Sequence, residues 1–77
     1  MVQAYVFLQA AMGKPGAVAE ALRKLPEVKS AVVVTGPYDV IALVEAEDLP
    51  ALGRVITEKI QTIEGVERTL TSLVTGI

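Results

Sequence analysis

An α+β fold in the order βαββαβ is predicted by three observations on this sequence. Two runs rich in β-branched residues, Ala31–Val34 and Val40–Val44, flank the turn-forming pair Gly36-Pro37. Two longer stretches, Ala17–Leu25 and Leu49–Ile63, carry apolar residues at three- and four-residue steps, the signature of amphipathic helices. Finally, Leu25-Pro26-Glu27-Val28 leading to Thr35-Gly36 is echoed by Ile63-Glu64-Gly65-Val66 leading to Thr75-Gly76. A β-α-β unit used twice is the split pattern of the ferredoxin-like fold, an antiparallel four-stranded sheet with both helices on one face.

The first strand is expected at Val2–Ala10. The two-residue period places Val2, Ala4, Val6, Leu8 and Ala10 on one face and Gln3, Tyr5, Phe7 and Gln9 on the other. Tyr5 and Phe7 make that second face apolar at its centre, where a sheet wetted on one side would be polar. Pro15 suits the first turn of the first helix, whose stripe is Val18, Ala21, Leu22 and Leu25, and Pro26 stops it. The second strand is expected at Lys29–Thr35 and the third at Val40–Ala46, with Ile41 and Leu43 sharing one side. Asp48 stands where an N-cap is wanted, ahead of a helix with the stripe Leu49, Leu52, Val55, Ile56, Ile60 and Ile63. Gly53 inside that helix costs about 1 kcal/mol relative to alanine and points to close packing against a neighbour. Gly65 is expected to end the helix in a left-handed conformation. The last strand, Val66–Thr75, sets Glu67, Thr69, Thr71, Leu73 and Thr75 on one face and Val66, Arg68, Leu70, Ser72 and Val74 on the other.

At 77 residues the chain is expected to form one domain, residues 1–77, near the lower limit for a self-supporting core. Yet 52% of its residues are hydrophobic, and the mean hydropathy is +0.51. So short a chain has too much surface to hide that much apolar side chain alone, so part of it is expected between subunits. Seven basic against nine acidic residues, scattered along the chain, argue against a nucleic-acid footprint. With no cysteine and no histidine, thiolate metal sites and the commonest general base are excluded. Apolar runs fall short of the ~20 residues of a membrane span, and no basic region precedes an apolar stretch as in a secretory signal. A cytoplasmic location is expected, with neither metal nor cofactor. The absence of asparagine, cysteine and histidine, with two methionines, suggests a thermophilic source.

The loop Thr35-Gly36-Pro37-Tyr38-Asp39 holds a phenol and a carboxylate side by side, more chemistry than a turn requires. Two readings compete: a ligand-contacting loop, or a turn in which Tyr38 covers the sheet edge and Asp39 caps the bend. The threonines of the last strand likewise read either as a row of hydroxyls or as simple strand propensity.

Pro15-Gly16 before the first helix, Val34-Thr35-Gly36-Pro37-Tyr38-Asp39 between the central strands, and Glu64-Gly65-Val66-Glu67-Arg68-Thr69-Leu70-Thr71 opening the last strand appear in order. In these landmarks the chain resembles the effector-binding module, or RAM domain, of the Lrp/AsnC transcription regulators. The resemblance implies a dimeric α+β barrel closed sheet to sheet, further assembled into tetramers, octamers or larger rings. It also implies a small effector, usually an amino acid, bound where dimers meet. Carried over by position, the candidate ligand-binding residues are Gly36, Tyr38, Asp39, Thr69 and Thr71, with Thr35 and Ser72 as neighbours. Met1 stands one residue before the first strand, leaving no room for the helix-turn-helix domain that usual members carry. The expectation is therefore a stand-alone module that binds no DNA itself. Pro37, lacking an N–H, departs from a loop that donates at every position.

On that resemblance Asp39 is expected to accept from a ligand α-ammonium, loop N–H groups with Thr69 or Thr71 to hold the α-carboxylate, and Tyr38 to wall the pocket. No arginine is obviously placed to clamp the carboxylate. Two other readings stand beside sensing: a partner that changes the assembly of full-length Lrp/AsnC regulators, and a small dimeric α+β barrel enzyme with Asp39 as base. The missing catalytic players argue against the enzyme.

Overall fold

The β-branched and alternating stretches become strands and the 3.6-period stretches become helices. A computed structural model describes residues 1–76. Strand β1 spans Val2–Ala10, helix α1 Pro15–Arg23, β2 Val28–Val33, β3 Val40–Ala46, α2 Leu49–Arg54 and β4 Val66–Leu73. A π-helical segment, Val55–Ile60, continues α2. The sheet has four strands in the order β2-β3-β1-β4, and its pairings are antiparallel. The ferredoxin-like expectation is met.

The two-residue period decides what faces the helices. Ala4, Val6 and Leu8 of β1, with Val40, Ala42 and Val44 of β3, are fully buried against Val18, Ala19 and Leu22 of α1 and Leu52 and Ile60 beyond. The opposite face carries Phe7 paired with Ile41 on one side and Leu70 on the other, and Tyr5 paired with Leu43 and Ser72. Helices do not cover that face: Tyr5 is 45%, Val32 49% and Leu70 50% exposed.

Several boundaries shift for identifiable reasons. Helix α1 begins at Pro15, two residues before the expected start at Ala17, because proline at the first helical position loses no hydrogen bond. It ends at Arg23, and the last turn closes with Lys24 N–H donating to the Ala21 carbonyl and Leu25 N–H to the Leu22 carbonyl. Strand β2 stops at Val33, short of Thr35, where the loop begins. Strand β4 stops at Leu73, although Val74 N–H still donates to the Gln3 carbonyl at 2.9 Å. Asp48 caps α2 as expected, its carboxylate accepting from Ala51 N–H at 2.8 Å.

Two glycine expectations divide. At Gly53 a Cβ would meet nothing within 4 Å, so close packing does not explain it. Gly65 has a positive φ of 97°, but it stands four residues after Gln61 caps the helix, so it shapes the connection into β4 and not the helix end. A Cβ there would stand 3.1 Å from Lys14 Cβ and 3.3 Å from Val18 Cγ2, so glycine is required by both conformation and space. Its carbonyl accepts from Ala11 N–H at 2.7 Å, pinning the start of β4 beside the end of β1.

Candidate functional site

The loop between β2 and β3 is held from both sides. Val34 N–H donates to the Asp39 carbonyl at 2.8 Å, closing the loop across its own mouth. Asp39 N–H donates to the Leu8 carbonyl at 2.9 Å, and Asp39 Oδ2 accepts from Ala10 N–H at 2.9 Å. The Asp39 carboxylate therefore satisfies β1 beside the point where the β1–β4 register shifts, between Gln9 and Ala10. One of its oxygens, Oδ2, is thus engaged by the fold. Gln9 Nε2 donates to the Pro37 carbonyl at 3.0 Å. Tyr38 packs on Phe7 with ring centroids 5.8 Å apart and planes inclined at 55°, so it lies over the open face. Thr35 and Gly36 are exposed at the tip.

The strand residues divide between faces. Thr69 pairs with Leu8 and Thr71 with Val6, which places both on the helix side of the sheet. Ser72 pairs with Tyr5 on the open face, so the structure does not bring it together with Thr71. Thr75 lies beyond the end of β4. Between the loop and the threonines runs the whole of β1. Two strand spacings separate them, about 10 Å. In one chain the loop and the threonine strand thus lie apart, on either side of β1.

Beside β4 lies a cleft of 320 Å³ lined by Gln61, Val66, Glu67, Arg68 and Thr69. Gln61 Nε2 donates to Thr69 Oγ1 at 2.9 Å. Of these only Thr69 was expected on sequence grounds. Gln61 reads as the wet side of an α-helix and Arg68 as an ordinary strand residue. The contacts that recruit Gln9 and Phe7 to the loop likewise join residues 28 or more positions apart, as in Gln9 and Pro37. No local pattern signals them.

Comparison with known proteins adds a frame. A model of the Lrp/AsnC ligand binding domain matches residues 3–76. An uncharacterized HTH-type transcriptional regulator of Pyrococcus abyssi is 38% identical over 76 residues, covering 99% of this chain and 48% of that protein. The chain thus spans about half the length of the curated regulators it matches. A homocitrate synthase of Sulfurisphaera tokodaii is 43% identical over 58 residues, 75% of this chain and 12% of the enzyme. Among solved structures, FFRP-DM1 superposes with a TM-score of 0.93 at 41% identity, covering 97% of this chain and 100% of that one.

Proposed function

We propose that this chain, which belongs to the Lrp/AsnC ligand-binding domain family, binds a small amino-acid effector in an oligomer of itself, acting as a single cytoplasmic sensing unit over residues 1–77 and not as an enzyme. The separation of the two half-sites across β1 carries this reading. An amino acid's ammonium and carboxylate lie roughly 3 Å apart by bond lengths. Asp39 and Thr69 of one chain, about 10 Å apart, do not reach both. A second copy brings a second loop and a second β4, and a loop from one copy meeting a strand from another completes a pocket. The exposed face of Tyr5, Phe7, Ile41, Leu43 and Leu70 gives the copies a reason to associate, through burial of apolar surface. Pairing through that face makes the dimeric barrel, and further contacts between dimers, into tetramers, octamers or rings, bring loops and strands together.

In that pocket Asp39 Oδ1 receives the ammonium, Tyr38 walls the effector's side chain, and Thr69 and Thr71 donate to its carboxylate. Thr35 and Gly36 offer backbone groups at the rim, and Ser72 serves the open-face contact. The experiment pairs sedimentation velocity with calorimetry against the twenty amino acids. The expected result is a dimer or larger at micromolar concentration, with heat from at least one amino acid. A well-folded monomer, or no heat from any amino acid in an intact oligomer, overturns the reading.

Two observations favour a regulatory partner in addition. The Pyrococcus relative is named for a helix-turn-helix regulator, and mixed assembly with such regulators would let this module change their oligomeric state. The match to a homocitrate synthase places a similar sequence in a chain named for a biosynthetic enzyme, which extends the reading to regulation of an enzyme. Co-elution with a purified family regulator, and activity of the synthase with and without the module, separate these two.

A further inference from the structure

Two backbone irregularities flank the contact between Gln61 and Thr69. The helix begun at Leu49 widens into a π-helix at Val55, and Gln61 N–H closes it on the Ile56 carbonyl at 2.8 Å. The β1–β4 pairing sets Gln9 opposite Arg68 and Ala10 opposite Val66, which leaves Glu67 as an extra residue in β4. Across that bulge Val66 packs on the core under the helices, and Thr69, opposite the buried Leu8, lies on the same side. A π-turn and a β-bulge both interrupt regular hydrogen bonding, and both re-aim the side chains next to them. Arg68, opposite Gln9, leaves the sheet on the open face and takes no part.

The contact has a direction. Gln61 Nε2 donates to Thr69 Oγ1 at 2.9 Å. A hydroxyl has one hydrogen, and a lone pair turned toward Gln61 leaves that hydrogen to point elsewhere. Thr69 is half-buried, and both residues line the 320 Å³ cleft beside β4. Thr71, opposite Val6, is on the same side about 7 Å further along the strand. Without Gln61 the Thr69 hydroxyl would turn freely and offer a lone pair as readily as a hydrogen. A donor fixed in advance suits a group that accepts and does not donate, and an ionised carboxylate is such a group.

From this geometry we infer that Gln61 is a positioning residue of the effector pocket, which turns the Thr69 hydroxyl outward as a donor and so assigns the β4 side of the pocket to the ligand's carboxylate. The inference rests on the amino-acid reading above and deepens it. Gln61 acts through Thr69 and needs no contact with the ligand. A hydroxyl oriented before the ligand arrives spares the ordering that binding would otherwise require, which is how a residue outside the contact raises affinity.

The test is a double-mutant cycle, read by calorimetry of the full chain with an amino acid that binds it. Gln61→Met keeps the length of the side chain and removes the donor, and it is expected to weaken binding by about 3- to 10-fold, the size of one hydrogen bond. In a Thr69→Val background no hydroxyl remains to orient, so Gln61→Met is expected to weaken binding no further. If Thr69→Val binds too weakly to measure, Thr69→Ser takes its place in the cycle. That hydroxyl lacks the neighbouring methyl that restricts rotation, so Gln61→Met is expected to weaken binding more there than in wild type. The carboxylate assignment is read with the amine formed by removing the carboxylate. Thr69→Val is expected to leave the affinity of that amine unchanged, and an amine that does not bind at all also supports the assignment. Unchanged affinity in Gln61→Met overturns the positioning role and leaves the sensing reading standing. So does an undiminished loss in the Thr69→Val background, or a loss in the Thr69→Ser background no larger than in wild type. An amine weakened by Thr69→Val as much as the amino acid overturns the carboxylate assignment. Absence of any amino-acid binding to wild type overturns the inference and the sensing reading together.

Discussion

The two faces of β1 are built from similarly apolar residues and do different work. Ala4, Val6 and Leu8 are sealed under the helices, whereas Tyr5 and Phe7, one position away each, lie on a face no helix covers. Alternation makes the two sets separable by mutation. What differs is the origin of the partner: the first face is completed within the chain, and the second, among the described residues, has its own strand neighbours and Tyr38. A residue's hydrophobicity therefore says that it wants cover, not where the cover comes from.

The largest expected effect is on the covered face. Leu22→Ala, at a fully buried position of α1, is expected to cost about 2–5 kcal/mol. Urea denaturation should show this loss at every protein concentration. On the open face, Phe7→Ser is expected to cost roughly 1.5–3 kcal/mol per copy, the worth of a buried aromatic side chain. That cost should fall on association: the dependence of Tm on protein concentration that is expected of wild type should disappear. If Phe7→Ser instead lowers stability equally at all concentrations, both faces are intramolecular in effect and the contrast fails.

A smaller effect calibrates the first two. Asp48→Ala removes the cap that receives Ala51 N–H, and a loss of about 1 kcal/mol independent of concentration is expected in urea. The smallest effect is electrostatic. Lys59 Nζ donates to Glu27 Oε2 at 2.7 Å, and this hydrogen bond, more than the charges of Lys59 and Lys29, holds the Glu27 carboxyl below its ordinary value of 4.5. A carboxylate with a lowered folded-state pKa adds stability that is complete above the ordinary value. That stability is lost as pH falls through the lowered one. Because the pair is solvent-screened, its worth is under about 1 kcal/mol. Wild type and Lys59→Met are thus expected to differ slightly at neutral pH and to converge in acid, followed by thermal melts across pH.

Much of the architecture was legible because it depends on local periods. Alternation in Val2–Ala10 and Val40–Ala46 located both central strands to the residue. Asp48 was recognisable as a cap because capping needs only a side chain three residues from its donor. The second helix was legible as a stripe but not as a π-helix, since widening one turn leaves Val55, Ile56 and Ile60 apolar and inward. The candidate site was half legible. The loop and the threonines were identifiable, whereas the contact of Gln61 with Thr69 was not, because it depends on a wide helical turn and a strand meeting in space.

By itself the sequence determined which side of each element is apolar, where the chain turns, and that more oily surface exists than one short chain conceals. Those are matters of composition and of periods two and 3.6, which any local stretch carries. Only the tertiary structure decided that β1 stands between the loop and the threonine strand, that Asp39 spends an oxygen on Ala10, and that Gln61 reaches Thr69. Each of these follows from which distant strands lie side by side, and strand order is settled by the packing of the whole sheet rather than by any segment within it.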